Sequence, residues 1–120
     1  MESVMKFESL DVWEKSARLG AEIYKQLAML KDYGYKDQVT RSSLSIPSNI
    51  AEGYERDSDK DRAKFLSYAK GSCAELRTQI YIGIEIGYIQ REIGKQWIEQ
   101  TRELSRMIYG LKKSLSPGAD

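Results

Sequence analysis

Gln38, Ser42, Ser45, Asn49 and Glu52 recur at 4-3-4-3 spacing, so on a helix they form one stripe of amide, hydroxyl and carboxylate groups. Ser72 and Glu75 offer the same chemistry further along the chain. These groups can exchange hydrogen bonds, and a carboxylate pair such as Glu52 with Glu75 could in principle move protons. The rest of a catalytic apparatus is missing. The chain contains no histidine, which leaves serine without an imidazole base and removes the Glu-x-x-His pairs of a di-iron bundle. No glycine-rich phosphate loop occurs, and Cys73 falls on an apolar stripe. The residues therefore read as a non-enzyme needing no metal or cofactor. Their polar stripe either fixes the register of a buried hydrogen-bond network or lines a groove that binds something polar.

A second chemistry, phosphate binding, is offered by Arg91, Lys95, Arg102, Arg106, Lys112 and Lys113 near the end of the chain. Arg102 and Arg106 share a helix face. Glu92, Glu99 and Glu103 are interspersed, so the same cations also fit a solvated surface with local ion pairs. The net charge is only +1, but the second half carries ten basic and seven acidic groups against nine and eleven in the first. Nucleic acid and a protein surface both remain open as partners.

Positioning these groups requires helices. With 120 residues, 41% of them hydrophobic, the chain is expected to form a single domain, residues 1–120, with its own core. One cysteine precludes an internal disulfide and suits a reduced, cytoplasmic setting. The longest apolar run, Ile80 to Ile84, is too short for a membrane span, and the first ten residues lack the apolar stretch of a signal peptide.

Periodicity predicts helices at about 10–30, 35–55, 58–89 and 93–114, with a frayed tail over 116–120. Ser9 and Ser58 are the expected N-caps of the first and third. Trp13, Ala17, Gly20 with Ala21, Tyr24, and Leu27 with Ala28 mark the expected inner face of the first helix; Val39, Ile46, Ile50 and Tyr54 mark that of the second. The third uses Phe65, Ala69, Ser72 with Cys73, Leu76, Ile80, Gly83 and Gly87, and the fourth Ile93, Trp97, Leu104, Ile108, Leu111 and Leu115. Four amphipathic helices with short connections pack most simply as an all-α, antiparallel up-down-up-down bundle. A long hairpin or a solenoid is the alternative, though a solenoid would need recurring units.

Two features of the pattern reach beyond a plain bundle. Pro47 sits inside the second helix and removes a backbone bond, at a cost on the order of 3 kcal/mol relative to alanine. The hydroxyls of Ser42, Ser43, Ser45 and Ser48 are expected to share the carbonyls it frees, in a kinked core helix or a ligand site built on the kink. If the second and third helices turn near Arg56, Ser45 should lie near Tyr68, Ser42 near Ser72 and Gln38 near Glu75. Gly71, Glu75, Thr78, Ile82, Ile86 and Ile89 then form a second stripe on the third helix, away from the core. A helix with two partly apolar faces needs partners on both, so Gly71, Thr78, Ile82, Ile86 and Ile89 are expected to meet another copy of the chain. Isoleucines wrapping around the bundle edge are the alternative.

The opening Phe7, Leu10, Val12, Trp13 and Ala17, the segment RSSLSIPSNIAEGYER at 41–56, KFLSYAKGSCAELRTQIYIGIEIGYI at 64–89 and RMIYGLKKSL at 106–115 carry a wider likeness. Together they make the chain resemble the four-helix bundle proteins encoded within intervening sequences of bacterial 23S ribosomal RNA genes. That family is related to the accessory variability determinants of diversity-generating retroelements. The resemblance implies a left-handed bundle assembled as a homopentamer, with no established catalytic activity. It also implies nucleic acid, above all ribosomal RNA or its gene, or a protein such as a reverse transcriptase, as the partner. The retroelement branch is more strongly basic than this near-neutral chain.

Overall fold

The computed structural model describes residues 6–115 together with 117 and 118. Within them the chain forms a short 3-10 helix, Phe7–Ser9, and four α-helices: α1 (Asp11–Gln26), α2 (Tyr33–Tyr54), α3 (Asp59–Glu85) and α4 (Arg91–Lys113). Among the described residues there is no strand, and no helix is long and apolar enough to cross a membrane. Of the tail expected at 116–120, only Pro117 and Gly118 are described, as a turn; the rest lies outside the described residues.

Each helix packs against two others. α2 and α4 flank α3 on either side, both also touch α1, and α1 lies diagonally across from α3. Contacts fix the directions. A Cβ at Gly20 would touch Ser43 and the Lys36 ammonium reaches the Ala28 carbonyl, while Ser45 meets Ser72 and Tyr35 meets Gln79. Arg77 reaches Thr101 while Lys70 lies over the Tyr109 ring, and Lys15 reaches Glu103 while Glu22 accepts from Trp97 Nε1. In each pair one number rises as the other falls, which is the antiparallel arrangement expected, 50 Å long and 27 by 23 Å across.

The core is built from Val12, Leu19, Ile23, Val39, Ile46, Ile50, Leu66, Ala69, Cys73, Leu76, Ile80, Trp97, Leu104 and Ile108. The expected inner faces of α2 and α4 hold, with Tyr54, Ile93, Leu111 and Leu115 half-buried at the margin. On α1 the expected face is rotated by about one residue: Val12, Ser16, Leu19, Gly20 and Ile23 are buried, whereas Ala21, Tyr24 and Ala28 are exposed. Tyr24 and the alanines misled because a tyrosine keeps its hydroxyl wet and alanine suits any helix face. On α3, Phe65 and Ser72 are only half-buried, and Ala63 and Leu66 belong to the inner face instead.

Caps explain where the helices stop. Ser58 accepts from the Asp61 amide at 3.1 Å, as expected of an N-cap. Ser9 does not cap α1; it lies in the 3-10 turn, and Leu10 occupies that position without a side-chain bond. α1 ends at Gln26, well before residue 30, and Asp32 starts α2 by accepting from the Tyr35 amide at 3.1 Å. Tyr33 and Gly34, ahead of the expected start at 35, are therefore already helical.

The end of α3 carries the largest correction. Gly87 takes φ +82, Tyr88 N–H donates to the Gly83 carbonyl at 2.8 Å and Gly87 N–H to that of Ile84 at 3.2 Å, which is a Schellman closure. The chain then doubles back over Gly83. Gly87 is consequently exposed rather than in the core stripe, and Ile89 is turned inward to 4% exposure. Ile89 is a core residue of its own subunit, unavailable to a neighbouring copy. Gly83 is small because Tyr35 and Ile89 press on it: a Cβ there would collide with the Tyr35 hydroxyl and come within 2.6 Å of Ile89 Cδ1. Gly83→Ala should lower stability by about 1–3 kcal/mol through overpacking, despite alanine's better helix propensity. A fall in the urea midpoint at unchanged slope is the reading that checks it.

Tyr35 itself predicts how stability depends on pH. Its hydroxyl donates to the Gln79 carbonyl at 2.6 Å, and burial, with Tyr88 beside it, pushes the phenol up to about 12 from 10.0. The unfolded chain thus releases this proton first. The contribution is complete below pH 10 and disappears as pH rises towards 12. The Cys73 thiol, pushed up by burial to about 11 from 9.0, acts with the same sign. Tyr35→Phe should make the alkaline decline in urea midpoint shallower without abolishing it.

Candidate nucleic-acid interface

The polar stripe of α2 faces α3, one turn out of the expected register. Ser45 Oγ and Ser72 Oγ are 2.7 Å apart, so Ser45 meets Ser72 rather than Tyr68, and Ser42 moves on to Glu75 and Gln79. Gln38, Arg41, Ser42, Ser45, Glu75 and Gln79 line one shallow groove of about 270 Å³. Ser42 is buried, Ser45, Asn49 and Ser72 are half-buried, and Gln38, Glu52 and Glu75 are exposed. Asn49 turns back onto its own helix, donating to the Ser45 carbonyl at 2.8 Å. Glu52 pairs with Arg56 at 2.6 Å, and the observed register separates it from Glu75 along the bundle. These two carboxylates cannot act as a pair.

Pro47 is buried in an uninterrupted α2. The hydroxyls of Ser43 and Ser45 donate to the carbonyls of Thr40 and Ser42, at 2.8 and 2.9 Å. They thus serve the Thr40 and Ser42 carbonyls rather than the Ser43 carbonyl that faces the proline. The stripe makes local bonds along α2 and one direct bond to α3, which is what a register-fixing network requires.

The cations draw together elsewhere, between α3 and α4. An open cleft of about 600 Å³ is lined by Ser67, Lys70, Gly71, Ala74 and Arg77 from α3 and by Arg102, Ser105, Arg106 and Lys112 from α4. Its floor is small: a Cβ on Gly71 would meet nothing within 4 Å. Its walls carry five cationic side chains and no carboxylate among the described residues. Arg77 is held in place by hydrogen bonds to Thr101 Oγ1 at 2.9 Å and Ser105 Oγ at 3.3 Å, neither of which neutralises it. Among the described residues Lys70, Arg77 and Arg106 form no salt bridge, whereas Arg102 pairs with Glu99 at 2.6 Å. Uncompensated cations clustered along a groove are what phosphate binding needs and a solvated helix face lacks.

Arg102, Arg106 and Lys112 are therefore brought together as the sequence suggested. Lys113 sits just outside, its ammonium 5.9 Å from the Tyr109 ring. Arg91 and Lys95 do not join them; they lie at the opposite end of α4 and outside the cleft. Lys70 and Arg77 were missed. Their spacing of seven puts them on one face of α3, a signal legible only once that face is laid beside α4.

The outer stripe of α3 lies on the bundle surface. Gly71, Glu75 and Thr78 are exposed, and Ile82 and Ile86 retain 48% and 51% of their surface. Gly71 also belongs to the cleft, so the two features share an edge.

The comparisons agree with this architecture. No curated protein matches the chain. The crystal structure of a protein of unknown function from the S23 ribosomal protein family of Bacteroides thetaiotaomicron is similar, with a TM-score of 0.80 and 26% identity over 86% of this chain and 99% of that one. The model of the family described as 23S rRNA-intervening sequence protein matches residues 8–110. With that match spanning α1 to α3 and α4 as far as Gly110, the chain belongs to the 23S rRNA-intervening sequence protein family.

Proposed function

We propose that the protein is a non-enzymatic bundle that self-associates through the outer face of α3 and presents its α3–α4 clefts to nucleic acid, with ribosomal RNA the best-matched form. The observation that carries this reading is the cleft itself: Lys70, Arg77 and Arg106 stand without carboxylate partners among the described residues, in a chain whose net charge is only +1. Self-association multiplies such a patch around one particle. Support for it comes from Ile82 and Ile86, half-exposed isoleucines in line with small or short Gly71 and Thr78. The family resemblance favours a pentamer, of mass near five times 13.8 kDa.

The test is retention of ribosomal RNA on the purified protein at low salt, with release as salt rises. Failure to retain RNA at low salt removes the reading. A protein partner is the second reading, favoured by the exposed Tyr24, Met29 and Tyr33 at the α1–α2 end, at 57%, 88% and 68%. Co-purification of one defined protein that survives nuclease treatment supports it.

A further inference from the structure

The cleft carries more than charge. Two half-exposed tyrosines lie beside it, each against one of its cations: Tyr109 on α4, 52% exposed, and Tyr81 on α3, 49% exposed. Tyr109 has the Lys70 ammonium 5.4 Å from its ring centroid and that of Lys113 at 5.9 Å. The Tyr81 hydroxyl accepts from Arg102 Nη2 at 3.1 Å. Each ring is thus exposed to solvent and steadied by a cation of the same basic surface. Lys70 places Tyr109 level with the middle of α3, and the eleven-residue step from Lys70 to Tyr81 corresponds to about 16 Å of helix. Arg77, Arg102 and Arg106 occupy the interval, over the small floor of Gly71 and Ala74.

Building on the nucleic-acid reading of the cleft, we infer that it holds single-stranded rather than double-stranded nucleic acid, with phosphates on Arg77 and Arg106 and a base stacked on each of Tyr81 and Tyr109. Aromatic platforms flanking a positively charged groove are the general solution for single strands, because every base has a free π-face to offer. A duplex has already spent those faces on its own stacking, so the tyrosines give it nothing. Ser67 and Ser105 add hydroxyls that can bond phosphate or ribose. An acidic protein segment would satisfy the arginines but leave both rings without a planar partner.

Equilibrium binding by the full-length protein of a short fluorescent oligoadenylate, an RNA hairpin duplex and polyglutamate, at one low salt concentration, tests this. The oligoadenylate should bind tightest. Tyr81→Ala and Tyr109→Ala should each weaken it by about fivefold to a hundredfold, the range for loss of one stacked base. Tyr81→Phe and Tyr109→Phe should retain most of the affinity, and duplex binding should be indifferent to all four changes. Circular dichroism confirms that each variant is folded. Equal binding of strand and duplex, with no response to the alanine variants, overturns the stacking inference while leaving the basic cleft as a nucleic-acid site. Polyglutamate binding as tight as the oligoadenylate also overturns it, as does binding of no nucleic acid, which removes the cleft reading as well.

Discussion

A lysine at position 80 is expected to unfold the protein, and a lysine at position 82 to leave it folded but split into single subunits. The two isoleucines are two residues apart on α3, yet Ile80 is fully buried and Ile82 is 48% exposed. An ammonium in place of Ile80 would sit among Leu76, Cys73 and other apolar core side chains, at a cost of several kcal/mol. That is comparable with the whole stability of a small domain, about 5–15 kcal/mol. At position 82 the same ammonium reaches water. The subunit loses almost nothing, while an interface that buries this stripe would have to bury a charge. Circular dichroism should report a coil for Ile80→Lys and native helicity for Ile82→Lys, and light scattering should report the mass of one chain for Ile82→Lys. A fully assembled Ile82→Lys particle would place the subunit contact on another face.

Reversing two charges in the cleft should have the largest effect on binding. Arg77→Glu with Arg106→Glu removes two cations that form no salt bridge among the described residues and adds two anions in the same groove. RNA affinity should fall by at least about a hundredfold at low salt, since each lost phosphate contact forfeits its counterion release and each new carboxylate repels the strand. Arg91→Glu with Lys95→Glu makes the same change in net charge at the far end of α4 and should cost no more than about threefold, the long-range part alone. Labelled-RNA anisotropy compares the two pairs directly. Comparable losses from both would mean that overall charge, not the cleft, determines affinity.

Much of the molecule was legible in the sequence because helical period and capping are local. Ser58 before two aspartates, and Val39, Ile46 and Ile50 on one stripe, needed no partner to be read. The errors lie where tertiary structure decides. Gly87 reads as one more member of a small-residue stripe until the Schellman closure turns the chain there, and the same closure carries Ile89 from the expected outer face into the core. A slip of one turn between α2 and α3 leaves the polar stripe facing α3 but changes which residues touch, because a 4-3-4-3 pattern looks much the same after a turn. The basic cleft was half visible. Its α4 wall is legible in Arg102, Arg106 and Lys112, whereas Lys70 and Arg77 stand among the residues of another helix and acquire meaning only by juxtaposition. Conversely, Arg91 and Lys95 stand close to the others in sequence, but seven or more residues along a helix is at least about 10 Å in space.

If the α3–α4 cleft exchanges counterions for the phosphates of a nucleic-acid strand, the RNA affinity of the unmodified protein must depend steeply on salt. Three to five phosphate contacts on a single strand predict a plot of log affinity against log salt with a slope of about −2 to −3.5, or roughly 20- to 100-fold weaker binding between about 50 and 200 mM salt. An affinity that stays level across that range, or no measurable binding at its lower end, would contradict the account.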